Sequence, residues 1–160
     1  MKSLKKLLFL TSFFCFLSCR FIDAGSFSGW NTIVFPISPK KLDVAVDQLF
    51  KEYPNYVMPE KWKNYGEDWI KQGYIRKKIF IFYFESAPEE MYYVSLVDAG
   101  YTEHTEYVRI AVRGVETGNG HWKQNKQCSD EQRKRIEDRF KNEIVSKLET
   151  YVKAKSYIQK

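Results

Sequence analysis

The sequence predicts an α+β two-layer sandwich, an antiparallel sheet of about four strands with two amphipathic helices on one face, in the order β-α-β-β-β-α. Three observations predict it. Two segments carry apolar residues at three- and four-residue steps, each a single stripe that needs an apolar surface to cover it. Three strand-like segments lie between them, separated by short turns, which makes an antiparallel meander. One face of such a sheet supplies the surface that both stripes require.

Taken in order, residues 31–37 are β-branched and apolar and read as a strand, with Pro36 near its end marking an edge or a termination. Ser38 and Pro39 start a helix, as N-cap and first helical residue. Leu42, Ala45, Val46, Leu49, Phe50 and Tyr53 form its apolar stripe, and Pro54 ends it. Residues 79–84 are six apolar residues in a row, which predicts a strand buried on both faces and therefore a central one. Residues 86–90 turn the chain and residues 91–98 are the next strand. In residues 105–116, Val108, Ile110 and Val112 alternate with Tyr107, Arg109, Ala111 and Arg113. Gly118 and Gly120 break that strand. Ser129 with Gln132 is a capping box for the last helix, whose seam is Ile136, Phe140, Ile144, Leu148 and Val152. Glu131–Arg135, Glu137–Lys141, Glu143–Lys147 and Glu149–Lys153 support it with acid-before-base pairs four residues apart. This order is similar to helix-grip-like domains found in some envelope lipoproteins, a likeness that transfers no function.

The start of the chain is of a different kind. Lys2, Lys5 and Lys6 precede an apolar run over residues 7–17, too short to span a bilayer but of signal-peptide length. The run ends Phe16-Leu17-Ser18-Cys19. This resembles the lipobox of bacterial lipoproteins. The resemblance implies cleavage between Ser18 and Cys19 and acylation of Cys19, and Arg20 rather than aspartate after it is similar to the enteric pattern for outer-membrane sorting. The competing reading is an ordinary secretory signal cleaved further on, near Ala24 and Gly25. The division expected is a signal peptide at 1–18, a lipid-anchored tether at 19–30, one domain at 31–154 and a frayed tail at 155–160. Several acyl chains on one cysteine give stable anchoring.

Composition narrows the function classes. Of the formal charge of +6, half sits in Lys2, Lys5 and Lys6. The other half falls after Ser129, so residues 19–128 are neutral overall. That is weak footing for nucleic-acid binding. With Cys19 acylated and Cys15 removed, Cys128 has no partner for an internal disulfide, and the core alone must hold the domain. Cys128 reads as a structurally neutral thiol; a nucleophile paired with His121 is the competing reading.

The sequence contains no His-x-x-His or Cys-x-x-Cys spacing, no Gly-x-Ser-x-Gly, no phosphate loop and no dinucleotide fingerprint. No metal, cofactor or catalytic residue is therefore expected. Glu89 and Glu90 are either solvated turn residues or a carboxylate pair. Residues 55–75 carry Tyr56, Trp62, Tyr65, Trp69 and Tyr74, with Trp62 and Trp69 able to share a face. They form either an aromatic lid on the core or a groove for a glycan or peptide. Tyr107, Arg109 and Arg113 share the outward side of one strand, either as a solvated face or as a contact for an anionic or protein partner. Together these features predict a membrane-anchored envelope module that binds another protein, an immunity protein against a toxin being one version. The alternative is a small ligand-binding or hydrolytic domain using residues 56–74.

Overall fold

The computed structural model describes residues 29–65, 71, 79–97, 105–118 and 121–159. The signal segment, Ser18, Cys19, Trp69 and Tyr74 lie outside the described residues. Among the described residues, five strands form one antiparallel sheet, β1 (Ile33–Phe35), β2 (Ile79–Phe84), β3 (Glu90–Leu96), β4 (Val108–Glu116) and β5 (Tyr157–Ile158), in the order β2-β3-β4-β1-β5. Helix α1 is Pro39–Glu52; α2 (Asp130–Phe140) and α3 (Ser146–Val152) are joined by a π-helical turn, Lys141–Val145. The α+β reading and the β2-β3-β4 meander are both present.

The capping signals act as read. Ser38 accepts from the amide of Lys41, and Tyr53 closes α1. Both capping-box bonds of Ser129 and Gln132 form at the start of α2. Leu42, Ala45, Val46 and Leu49 of α1 pack with Ile136, Phe140, Ile144, Leu148 and Val152 on the sheet face that carries Phe35, Phe80, Phe82, Phe84, Tyr92, Val94, Val108, Ile110 and Val112.

The π turn explains how a seam with strict four-residue spacing stays buried. In a straight α-helix each four-residue step drifts about 40° around the axis, because one turn holds 3.6 residues. Over five seam positions the last residue would leave the core. A π turn, closed by i→i+5 bonds, accommodates one extra residue and returns Leu148 and Val152 to the buried side.

Two expectations need correction. Strand β2 is buried on both faces, as its six apolar residues require, but it lies at the end of the strand order rather than in the centre. Its helix-side residues Phe80, Phe82 and Phe84 enter the main core. Its other side, Ile79, Ile81 and Tyr83, is covered by Trp62 and Met58, with Met91 of the neighbouring β3 beside Tyr83, in a second, smaller cluster. Burial of both faces was thus supplied by two layers, not by two neighbouring strands. The tail is the second correction. Lys153 adopts the left-handed conformation, φ 54°, ending α3. The chain then reverses, and Tyr157 and Ile158 pair with Val34 and Ile33 as β5 in place of a frayed end.

Candidate functional site

Strand alternation splits the expected carboxylate pair. Glu89 points to the outer side, where Tyr83 donates to it at 2.6 Å and Lys61 pairs with it at 2.5 Å. The Lys61 ammonium and the Tyr83 hydroxyl hold its carboxyl below the usual range. Glu90 points to the helix side and is fully buried. Arg135 binds it through two contacts of 2.6 Å, Arg139 lies 3.2 Å away, and Tyr92 donates to it at 2.9 Å. Burial, and then the Glu90 charge, push the Tyr92 hydroxyl well above its ordinary pKa. Arg139 also donates to the carbonyls of Pro88 (2.7 Å) and Ser86 (2.9 Å) and stacks over Phe84. Every strong donor of that guanidinium is engaged inside the fold, so the network locks α2 to the β2–β3 turn.

Cys128 is buried within the main core and its thiol donates to the carbonyl of Gln124. Burial pushes the thiol above its ordinary pKa, the opposite of what a nucleophilic cysteine needs. His121 is exposed.

The sequence-selected trio separates into two parts. Val34 of β1 is flanked by Arg109 on β4 and Tyr157 on β5, so the three share one row of the sheet. The Arg109 guanidinium sits over the Tyr107 ring, 4.9 Å from its centre, and its Nη2 lies 3.4 Å from the Tyr107 hydroxyl. Tyr107 is 42% exposed and Tyr157 58%. A shallow depression runs between Val34, Tyr107, Arg109, Tyr157 and Gln159. Arg113 lies elsewhere. It is the extra residue where the β3–β4 register shifts, since Tyr93 faces Gly114 and Val94 faces Val112. Its Nε donates to Ser95 at 3.1 Å, and its charge reaches Tyr93. A Cβ on Gly29 would come within 2.8 Å of the Val112 carbonyl and 3.1 Å of Arg113 Nη1, so the absence of a side chain there lets the incoming chain lie against Arg113.

Trp62 is at the other end of the same sheet side, buried against Ile79, Ile81, Tyr83 and Met91. It acts as a cover for β2; Trp69 lies outside the described residues. Tyr157 is the surface residue that sequence reasoning missed. Two residues of alternation after a helix are too few to signal a strand, and only the pairing with β1 places it in one row with Arg109, across Val34.

Comparison with protein-family models, curated proteins and solved structures finds no match for this chain.

Proposed function

We propose that this chain is a lipid-tethered envelope module without chemistry of its own, which binds a carboxylate-bearing protein surface through Tyr107, Arg109 and Tyr157. The observation that carries the reading is the stacking of Arg109 on exposed Tyr107 in one sheet row with exposed Tyr157. Tyrosine and arginine dominate the energetics of protein interfaces. A stacked guanidinium has surrendered part of its rotamer freedom before a partner arrives, which lowers the entropic cost of binding. The arginine at one end of that row favours a partner with carboxylates. The tether rests on the basic start, the apolar run and Ser18-Cys19, an export and acylation signal that would hold the domain at a membrane surface, at the outer membrane where the cell has one.

Photo-crosslinking in intact cells tests the binding half. A photoreactive residue in place of Tyr107 or Tyr157 should give one discrete protein adduct, reduced at least fivefold by Arg109→Ala. The same residue in place of exposed Val44 on α1 should give none. Identical adducts at all three positions, or none at the two tyrosines, would overturn it. Cys19→Ala tests the anchor half: acyl mass and membrane fractionation should both be lost, and their persistence would end the lipoprotein reading.

The ligand-binding alternative draws no support from Trp62, whose ring is committed to covering β2. A cleft on the helix side of the sheet is a better basis for ligand binding.

A further inference from the structure

A groove of about 440 Å³ opens between the sheet edge formed by β1 and β5 and the helix rod at its π turn. Its size falls within the range of small-molecule sites, which are apolar clefts with a few placed polar groups. The apolar lining comes from Ile33, Val112, Phe140 and Val145. The wall on the helix side is the π turn itself, a feature that recurs at functional sites. Straightening that turn into regular helix would remove the residue that the wall accommodates.

Two polar groups in the lining point to the kind of ligand. Trp30 is 4% exposed, lines the groove, and its indole N–H has no acceptor among the described residues. A buried donor in that state favours a ligand that brings an acceptor oxygen. Glu137, on the same groove, is half-buried and its bonded partner is the neutral amide of Asn31, at 3.0 Å. Its hydrogen bond is thus to a dipole, and Lys134 acts on it only through its charge; a ligand ammonium would give it a direct ionic partner. Of the remaining charged residues of the described lining, Asp138 is paired with Lys134 and Glu149 with Lys155, and Lys141 is the one cation.

From this juxtaposition of an unsatisfied indole donor, a half-buried carboxylate hydrogen-bonded to a neutral amide and an apolar floor, we infer that the groove binds a small apolar-bodied primary amine carrying a carbonyl, the chemistry of an amino-acid amide or of a peptide amino terminus. The ammonium meets Glu137, the carbonyl accepts from Trp30, and the apolar body lies on Ile33, Phe140 and Val145. This site is on the opposite side of the sheet from Tyr107 and Arg109, and Tyr157 borders both.

The test is a titration of the detergent-extracted full chain with phenylalaninamide, followed by the indole N–H resonance of Trp30 and by calorimetry. Saturable binding with a dissociation constant in the millimolar range or tighter is expected, with a shift of that resonance. N-acetylphenylalaninamide, which keeps the carboxamide and replaces only the ammonium by a neutral amide, should bind at least tenfold more weakly. Glu137→Gln should weaken phenylalaninamide about tenfold and erase the preference between the two probes. Trp30→Phe, which keeps most of the apolar volume, should weaken it severalfold while leaving the preference for the amine intact. Ser146→Phe, at an exposed rim position, should block the groove without touching the core. Absence of saturable binding, equal affinity for the two probes, or unchanged affinity in Glu137→Gln would overturn the inference.

Discussion

Arg135 grips Glu90 with two parallel hydrogen bonds, Nη1 to Oε2 and Nη2 to Oε1, each 2.6 Å long. One end of this pair is fully buried and the other is partly exposed. Arg139 and Tyr92 complete the coordination of the carboxylate. Removing the carboxylate charge leaves two guanidinium groups facing a neutral side chain. Glu90→Gln is therefore expected to destabilise the fold by about 3–5 kcal/mol, the range for breaking a buried ion pair from one side. Urea unfolding of the variant against the parent chain measures it, and a loss under about 1 kcal/mol would mean that the network contributes little net stability.

The π turn makes a second expectation. Deleting Asn142, an exposed residue of that turn, converts Lys141–Val145 into regular α-helix. The seam spacing then runs four, three, four and four residues, which cuts the accumulated drift by about 100°, and Leu148 and Val152 keep facing the core. The deletion variant should retain its circular dichroism spectrum and unfold within about 1 kcal/mol of the parent, well below the penalty for losing a core leucine. Loss of phenylalaninamide binding in the same folded variant would separate the groove from the stability of the rod.

Acid should release the tail before it unfolds the domain. Burial acts to raise the Glu149 pKa, but Lys155 at 2.9 Å and the amide and hydroxyl of Ser156, each at 2.8 Å, outweigh it and hold the carboxyl below its ordinary value of 4.5. The sign follows directly. With a folded pKa below the unfolded one, the stabilisation is complete above about pH 4.5 and is lost as pH falls through the lower, folded value. Hydrogen exchange at the Gln159 amide, which bonds to the Thr32 carbonyl at 2.9 Å, reports β5 directly. Its protection relative to the unstructured amide should fall below that pH in the parent, and already at pH 7 in Glu149→Gln. Equal protection in both chains at pH 7 would contradict the role given to Glu149.

Cys128 should resist alkylation. Its burial and raised pKa both keep thiolate scarce and inaccessible. Iodoacetamide at pH 8, read by peptide mass spectrometry, should modify Cys128 roughly a hundredfold more slowly in the folded chain than in urea. Comparable rates would restore a reactive thiol.

Much of the local structure was legible because it depends on near neighbours. Ser38 with Pro39 and Ser129 with Gln132 marked the helix starts, because a capping bond spans three residues. The alternation at Val108, Ile110 and Val112 marked a strand and put Tyr107 and Arg109 on its outward side. The four-residue seam from Ile136 to Val152 announced a buried stripe but not the π turn, since spacing alone does not say how the backbone absorbs the drift.

The sequence by itself determined the fold class, the helix starts, the meander and the side of the sheet on which Tyr107 and Arg109 stand. Each follows from periodicity or from contacts a few residues apart. Only the tertiary structure decided that β2 lies at the end of the strand order, that Glu89 and Glu90 serve different layers, that Tyr157 stands across Val34 from Arg109, and that Trp30 and Glu137 line one groove. Those relations join residues up to more than a hundred positions apart. They are fixed by which apolar faces bury each other most completely, a property of the whole core that no short window of sequence contains.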